Sequence, residues 1–472
     1  DVFVVGDDDQ SIYGWRGADI SNILNFKNSY NNAKIIKLEQ NYRSTQNILD
    51  AAWSVVSKNI NRAEKKLWTE NDKGSKINLF SSYNELDESN KILQNIVNSV
   101  KSLDLDYNKI VILYRTNAQS RVIEDALRKS NIPYKIIGGV KFYDRKEVKD
   151  ILAYLRLICN KKDSVSLDRI INFPSRGIGA TTLDKLHEFS KINNIFTSFE
   201  EISNLPLGKK QLKGIESFIN IINKYNDRSK NDSPSSILKD LLDDLNLNSY
   251  YSNLETSDSL ERWMNIEECL SSIVEYENNA TNPTLNGYLE DVSLLTDIDK
   301  WNSKENAVTM MTIHSSKGLE FDDVYITGLE EGLFPITKIF NDDDIEEERR
   351  LFYVALTRAQ RNVTLSYAKS RRKFGSEPIL TQPSRFINEI SVNLLNNKIS
   401  DFDKFKTKGK FSNTIDSTNV IKVNQIVNHK LFGKGKVENI EGAGENSKIT
   451  ILFFNNQRKK LIYKYANLEI LG

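Results

Sequence analysis

Short apolar strands and amphipathic helices alternate in two separate stretches of this chain, and this alternation most restricts what it can fold into. In the first stretch, apolar runs at residues 77–80 and 109–114 flank a segment of helical period at 92–100. The apolar runs return at residues 307–313 and 323–328. A crossover helix returns the chain to the end of the sheet at which the previous strand began. Strands separated by helices therefore run parallel to one another. The sequence therefore predicts an α/β fold with a parallel sheet.

The residues around and after these stretches have a different character. From Lys146 to Trp301 nearly every position follows the helical period, which predicts an all-helical subdomain inserted into the sheet domain. Residues 396–422 are polar and without periodicity, which indicates a flexible linker. Residues 423–472 return to short strands separated by glycines, which is typical of a small β-barrel.

Composition restricts the class of protein further. With 39% hydrophobic and 27% charged residues and no run of about 18 apolar residues, the chain is predicted to be globular and to lack a transmembrane helix. Its two cysteines, Cys159 and Cys269, cannot form a zinc finger or a disulfide framework, which favours a cytoplasmic protein. The net charge of +1 carries no global nucleic-acid signature. Any DNA contact must therefore come from local patches, such as residues 404–472 with thirteen Lys or Arg against five Asp or Glu.

A polar cluster follows a short apolar run at the start of the chain. Residues 2–5 predict a buried strand, and residues 33–38 predict a second one. Open α/β sheets bind ligands at the carboxyl ends of their strands, and the acids and amide of Asp7–Gln10 come directly after the first. Such groups suit a metal–nucleotide site, while Trp15 and Arg16 suit a base-stacking surface. By residue type alone, an acidic turn followed by a core tryptophan is an equal alternative.

The complete string, VGDDDQSIYGWRGA over residues 5–18, resembles motif III of superfamily-one DNA helicases of the UvrD/PcrA type. The resemblance implies a RecA-like parallel-sheet core of the P-loop NTPase type. It also implies that Gln10 senses the γ-phosphate of ATP and that Trp15 stacks on a base of the bound strand. Tyr13 and Arg16 would lie close to that base.

Two further strings resemble motifs IV and V of the same family. In EQNYRST, residues 39–45, the resemblance implies that Tyr42 stacks on adenine and that Arg43 reaches the γ-phosphate, for which its rigid charged fork is suited. In TMMTIHSSKGLEF, residues 309–321, a Gly-containing turn follows a strand and can hold a DNA phosphate. The resemblance places His314 and Lys317 at the DNA and Glu320 at the nucleotide.

VALTRA, residues 354–359, resembles motif VI, whose arginine finger corresponds to Arg358. The acidic residues before it suit the amino terminus of a helix. NFPSRGIGATT, residues 172–182, resembles the duplex-contacting turn of the family and predicts Arg176, Gly177 and Gly179 as DNA-binding residues. A glycine turn between two helices is the alternative for this segment.

Two expected elements of an ATPase are missing from the sequence. It contains no G-x-x-x-x-G-K-[ST] string, and the Asp-Glu pair of motif II, which holds Mg²⁺ in the family, is also absent. Asp7, Asp8 and Asp9 do not replace that pair, since they occupy motif III positions. The sequence is therefore predicted to begin inside the first core, with the ligands of Mg²⁺ upstream of residue 1. As written, the chain is not expected to hydrolyse ATP.

The resemblance assigns functions to the regions of the chain. The predicted regions are the end of the first RecA-like core at 1–43, a second core at 44–140 and 302–390, a helical subdomain at 141–301, a linker at 391–422 and a Tudor-like or SH3-like β-barrel at 423–472. The implied function is an ATP-dependent 3′→5′ DNA helicase acting on single-stranded DNA and on junctions in repair or replication, with RNA polymerase or repair proteins as partners of the barrel. The alternatives are a Rep-like replication helicase and a non-catalytic DNA- or polymerase-binding relic.

Overall fold

The computed structural model describes most of the chain, and its residues divide into two compact units, 1–400 and 401–472. The described residues are 2–30, 32–103, 105–190, 196, 199–253, 256–298, 306–336, 342–372, 375, 377–397, 425–429, 433–441, 448–453, 458–462 and 468–470. The predicted linker therefore lies mostly outside the described residues.

The first unit is built on a seven-stranded sheet in which every pair of neighbouring strands is parallel. The strands of this sheet are β1 (Ile77–Ser82), β2 (Ile110–Tyr114), β3 (Tyr134–Ile136), β4 (Val308–Thr312), β5 (Phe321–Ile326), β6 (Ala359–Ala368) and β9 (Leu395–Asn397). Their order across the sheet is β3-β4-β2-β5-β6-β1-β9. The short strands β7 (Ser370–Arg371) and β8 (Ile379–Leu380) form a separate antiparallel pair. The predicted α/β class with a parallel sheet is confirmed.

Helices cover both faces of this sheet, as the alternating side chains of its strands require. In β2, Val111 and Leu113 join one apolar cluster, while Ile110 and Ile112 join another. The helices outside the helical region are α1 (Ser21–Leu24), α2 (Phe26–Ser29), α3 (Gln46–Val56), α4 (Glu85–Leu103), α5 (Ser120–Lys129), α15 (Asp342–Leu356) and α16 (Arg385–Glu389). Apolar residues of α3, α15 and α16 cover the first face, and those of α4 and α5 cover the second.

A run of helices is inserted between β3 and β4. These helices are α6 (Lys146–Cys159), α7 (Ser164–Ile170), α8 (Ala180–Ser190), α9 (Phe199–Ile202), α10 (Lys209–Arg228), α11 (Pro234–Asp244), α12 (Leu247–Ser252), α13 (Ser257–Asn279) and α14 (Leu285–Ile298). They enclose an apolar core of their own, to which Phe218 and Tyr225 of α10 contribute fully buried rings. Within the described part of the chain, no helix combines the length and the apolar character that a membrane span needs.

The two strands expected near the start of the chain are not formed. Residues 2–5 and 33–38 run without strand pairing in the described structure, and their apolar side chains are exposed, Phe3 by 88% and Leu38 by 82%. A β-strand needs a neighbouring strand to satisfy its backbone groups. Among the described residues near this segment, a bridge joins Gln40 to Trp68 instead. The apolar pattern therefore predicted two strands, and neither pairs with another strand among the described residues.

The second unit contains a five-stranded antiparallel sheet. Its strands are β10 (Ile426–His429), β11 (Gly433–Glu441), β12 (Lys448–Phe453), β13 (Arg458–Ile462) and β14 (Leu468–Ile470), in the order β13-β12-β11-β10-β14. A barrel requires its two outer strands to pair, and β13 and β14 do not pair within the described residues. The short strands are confirmed, whereas the closed barrel is not shown. In the first unit, β9 occupies residues that the sequence assigned to the start of the linker.

Candidate functional site

The acidic turn near the start of the chain is neutralised by two basic side chains. Asp8 begins a short 3-10 helix that ends at Gln10, and Asp7 caps it by accepting the Asp9 N–H at 3.1 Å. Lys65 Nζ contacts Asp8 and lies 2.7 Å from Asp7 Oδ1, and Arg62 forms two hydrogen bonds with Asp9. Burial alone would raise the pKa of Asp8, but the hydrogen bond from Lys65 lowers it below its ordinary value.

These ion pairs decide what the three aspartates can bind. Their carboxylates already face cations, and no group of three potential metal-ligating side chains occurs among the described residues. The structure therefore offers no fit for Mg²⁺ at this turn.

Gln10 lies at the end of the acidic turn and contacts a distant segment. Its side-chain Nε2 donates to Asp7 Oδ2 at 2.5 Å, and its backbone carbonyl accepts a hydrogen bond from Lys317 Nζ at 2.9 Å. The predicted phosphate sensor is thus held beside the predicted DNA residue Lys317.

The structure brings four of the predicted DNA-binding residues together. Tyr13 Oη donates to the backbone carbonyl of His314 at 3.2 Å, and the two rings lie 6.3 Å apart. Arg16 Cζ lies 5.5 Å from the centre of the Tyr13 ring, and Lys317 Nζ lies 5.3 Å from it. Trp15 belongs to the 3-10 turn Gly14–Arg16, but its side chain lies outside the described part of the structure. One aromatic ring with two cations beside it can accept both a base and a phosphate.

His314 is uncharged at neutral pH in this cluster. Burial, together with the nearby guanidiniums of Arg115 and Arg16, lowers the pKa of the imidazole to about 3. The side chain therefore acts as a neutral ring and hydrogen-bonding group, and the positive charge of the cluster comes from Arg16 and Lys317.

We predict that His314 makes folding stability dependent on pH. Because its folded-state pKa lies below the ordinary value of 6.5, the unfolded chain binds a proton first as the pH falls. The free energy of unfolding should therefore decrease as the pH is lowered from 6.5 toward 3, and His314→Asn should flatten this part of the profile. Urea unfolding at several pH values measures both. If the unfolding free energy falls with pH equally steeply in the unchanged protein and in His314→Asn, the neutral state of the His314 imidazole is contradicted.

A second cluster contains the predicted nucleotide residues Arg43, Glu320 and Arg358. Arg43 Nε donates to Glu320 Oε2 at 2.6 Å, and Gln360 Nε2 donates to Glu320 Oε1 at 3.1 Å. The Arg43 side chain is 29% exposed and that of Glu320 is 49% exposed, so both border solvent. The hydrogen bond from Arg43 lowers the pKa of the Glu320 carboxyl.

Arg358 is the buried member of this cluster, with 2% exposure. Its guanidinium donates to the backbone carbonyls of Val354 at 3.0 Å and Leu319 at 3.2 Å. Burial and repulsion from Arg43 lower the pKa of Arg358 to about 10, which leaves it charged at neutral pH. Two guanidiniums near one carboxylate leave a net positive charge, and this arrangement suits a phosphate group.

Tyr42 lies next to Arg43 in the chain and presents an open ring. It is 78% exposed, and its hydroxyl donates to Gln40 Oε1 at 2.8 Å. An exposed ring beside a basic cluster can stack on a planar heterocycle.

One segment links the two clusters. His314 follows the carboxyl end of β4, and Glu320 precedes the amino end of β5. Both strands run parallel to β2, so these two ends lie at opposite edges of the sheet. Residues 313–320 therefore cross a face of the sheet from one cluster to the other. Glu320 and Arg358 directly precede β5 and β6, so the Arg43–Glu320–Arg358 cluster lies at the amino ends of these strands.

The glycine turn at residues 176–179 is apart from both clusters and belongs to the helical region. The Arg176 Nη1 lies 2.8 Å from the backbone carbonyl of Phe173 and 3.2 Å from those of Ile170, Ile171 and Pro174, and Nη2 donates to the Tyr154 hydroxyl at 2.8 Å. Gly177 has a positive φ of 75°, which only glycine adopts at little cost, and Gly179 is exposed. The guanidinium of Arg176 is thus engaged within the fold, while both glycines face outward.

Replacing Arg176 by alanine is predicted to destabilise the helical region. The change leaves several partly buried carbonyls without a donor, which should cost about 2 kcal/mol of unfolding free energy. Thermal and urea unfolding measure this loss, and Lys239→Ala, at an exposed lysine of α11 in the same region, serves as a comparison. Unchanged stability with weaker duplex binding would instead assign Arg176 a direct DNA contact.

Some residues of the site were not predicted from the sequence. Arg62 and Lys65 belong to a basic segment with no recognisable pattern, although three consecutive acids require nearby cations. Glu347, read from the sequence only as part of an acidic helix start, accepts the Gly14 N–H at 3.0 Å. These contacts join residues 53 to 333 positions apart, and a single sequence contains no signal for them.

The fold and the two clusters define a parallel α/β protein with an interrupting helical region and polar sites at opposite edges of its sheet. The sequence profile of the UvrD-like helicase C-terminal domain matches residues 36–370, and that of the UvrD/REP helicase N-terminal domain matches residues 1–31. The chain belongs to the UvrD-like helicase family.

Similar proteins carry the name ATP-dependent DNA helicase PcrA. The chain is 41% identical over 481 residues to the one from Staphylococcus epidermidis strain RP62A and 39% identical over 491 residues to the one from Bacillus subtilis strain 168. These alignments cover 98% and 99% of this chain and 66% of each relative, so the chain spans about two thirds of their length. A solved structure of the C-terminal domain of a possible DNA helicase from Lactobacillus aligns at a TM-score of 0.29 and 10% identity over 75% of this chain and 97% of that one, which is too low to show a shared fold.

Proposed function

We propose that this chain is part of an ATP-dependent DNA helicase that moves 3′→5′ on single-stranded DNA and unwinds duplexes in repair or replication. The observation that carries the proposal is the segment 313–320, which joins a basic, phosphate-suited cluster to an aromatic and basic cluster. A protein that converts ATP hydrolysis into movement on DNA needs such a connection between its two ligand sites.

In the proposed nucleotide site, Arg43 and Arg358 face the phosphates of ATP, and Gln10 senses the γ-phosphate. Tyr42 stacks on the adenine, which its exposed ring allows. Glu320 holds Arg43 through the 2.6 Å hydrogen bond and lies near the nucleotide. Mg²⁺ would accompany ATP and neutralise phosphate charge, with ligands outside the residues of this sequence.

In the proposed DNA site, Tyr13 and Trp15 stack on bases, and the cations Arg16 and Lys317 contact the strand. The neutral His314 supports the Tyr13 ring through its backbone carbonyl. Base stacking is tolerant of sequence because every base has an aromatic face, as a translocating protein requires.

The remaining regions complete the proposal. Residues 1–43 belong to a first RecA-like core, 44–140 and 302–390 form the second, and 141–301 form the duplex-facing insertion. There the exposed Gly177 and Gly179 bring the backbone close to a DNA phosphate, while Arg176 acts as a positioning residue that shapes the turn. Beyond β9, the rest of residues 391–422 form a linker to a Tudor-like barrel at 423–472, which binds RNA polymerase or repair proteins. We place the protein in the cytoplasm.

The test uses the gene product expressed from its own start codon. ATP hydrolysis is measured with and without single-stranded DNA, and strand displacement is measured on duplexes with either a 3′ or a 5′ single-stranded tail. We expect stimulation by DNA and unwinding of the 3′-tailed duplex alone. DNA binding without hydrolysis would support the non-catalytic alternative, and preference for the 5′ tail would overturn the polarity.

A further inference from the structure

Helix α15 contacts the DNA-facing turn at two points. Glu347 Oε1 accepts the backbone N–H of Gly14 at 3.0 Å, and Arg350 Nε donates to the backbone carbonyl of Ser11 at 2.9 Å. Residues three apart on a helix lie on the same face, and the two backbone groups they hold are also three residues apart. One face of α15 therefore carries an acceptor and a donor at the same spacing as the two backbone groups of the turn that they bind.

The contact at Gly14 is close. A Cβ atom at this position would collide with the Glu347 carboxylate, so the side chain packs directly against the backbone. Gly14 begins the 3-10 turn that contains Trp15 and ends at Arg16, and Tyr13 provides no side-chain cap for it. The first N–H groups of a helical turn need an acceptor from outside the turn. Glu347, from a different element, supplies this acceptor through a side-chain oxygen.

The same helix reaches the nucleotide cluster at its other end. Helix α15 ends at Leu356, two residues before Arg358, and the span from Glu347 to Leu356 is about 14 Å at the rise of an α-helix. The helix packs against the sheet through Leu351, Val354 and Ala355, all of which are buried.

We propose that Glu347 is a positioning residue that holds the Tyr13–Arg16 turn in the conformation that receives single-stranded nucleic acid. The inference rests on the proposed function of that turn. Glu347 would act only through the Gly14 backbone, without touching DNA or ATP. Its carboxylate oxygen is the required feature, so glutamine can replace it and alanine cannot.

The experiment compares Glu347→Ala, Glu347→Gln and Asp344→Ala in the gene product expressed from its own start codon. Asp344 is an exposed acid on the same helix and serves as the matched control. Hydrogen exchange is followed by mass spectrometry in the peptides that contain Gly14, and affinity for a fluorescent oligothymidylate is measured by anisotropy. The loss of one hydrogen bond should accelerate exchange about tenfold and weaken binding about tenfold in Glu347→Ala.

We expect Glu347→Gln and Asp344→Ala to match the unchanged protein in both measurements. Unchanged exchange in Glu347→Ala would overturn the contact, and faster exchange with unchanged affinity would overturn its role in receiving DNA. An equal loss of affinity in Glu347→Gln would also contradict the proposal, because it would point to charge as the cause. If the unchanged protein does not bind the oligothymidylate, the proposed function fails, and the exchange data still decide whether Glu347 holds the turn.

Discussion

Replacing Arg358 by alanine in the gene product is expected to reduce DNA-stimulated ATP hydrolysis by about 10³–10⁵-fold, the range that arginine fingers supply in phosphoryl-transfer enzymes. Arg358 remains charged despite its burial, and it lies beside Arg43 and Glu320 at one edge of the sheet. Its removal takes a positive charge from the proposed phosphate site. Affinity for single-stranded DNA should change little, because the Tyr13–His314 cluster is at the other end of the crossing segment.

Two variants separate this role from a loss of folding. Arg361→Ala removes an exposed arginine of β6, the strand that follows Arg358, and should leave hydrolysis unchanged. Arg358→Lys keeps the charge but loses the fork of donors that reaches the carbonyls of Val354 and Leu319, so hydrolysis should remain low. Circular dichroism verifies folding. Hydrolysis within tenfold of the unchanged protein in Arg358→Ala would disprove the finger assignment.

Replacing Arg128 by methionine is expected to give the largest loss of stability, about 3–5 kcal/mol, because it removes the main cationic partner of the buried Glu124 carboxylate. The side chains of Arg128 and Glu124 are both fully buried and lie 3.0 Å apart, and Arg128 also pairs with Asp125 at 2.9 Å. Methionine preserves most of the volume, so the change tests charge rather than packing. Equilibrium urea unfolding measures the difference.

The pH dependence of this variant provides an internal check. Burial raises the pKa of Glu124 above its ordinary value, and the loss of Arg128 would raise it further. The folded variant would then keep a proton that the unfolded chain releases, so its deficit in stability should shrink as the pH is lowered. Lys129→Ala, at the exposed neighbouring residue, should have almost no effect, and Glu124→Gln should restore part of the stability in the double variant. A loss of less than about 1 kcal/mol of unfolding free energy in Arg128→Met would show that the buried Glu124 does not depend on Arg128.

Local sequence patterns predicted much of the fold because they report directly on burial. In β2, five consecutive apolar residues predicted a strand covered on both faces, and all five are buried. The same kind of pattern misled at residues 2–5, where the apolar side chains are exposed. An apolar run indicates that a segment is suited to a sheet. Whether it pairs depends on which other segments lie beside it.

The sequence by itself determined the parallel α/β class, the inserted helices and the family, because strand and helix periods and long motif strings are local features. It also identified the motif residues from Gln10 to Arg358. Only the tertiary structure decided that Lys65 neutralises the acidic turn, that Arg176 is engaged by four carbonyls, and that Glu347 holds Gly14. Each of these contacts depends on distances between residues far apart in the chain, and such distances exist only once the apolar core has brought the elements together.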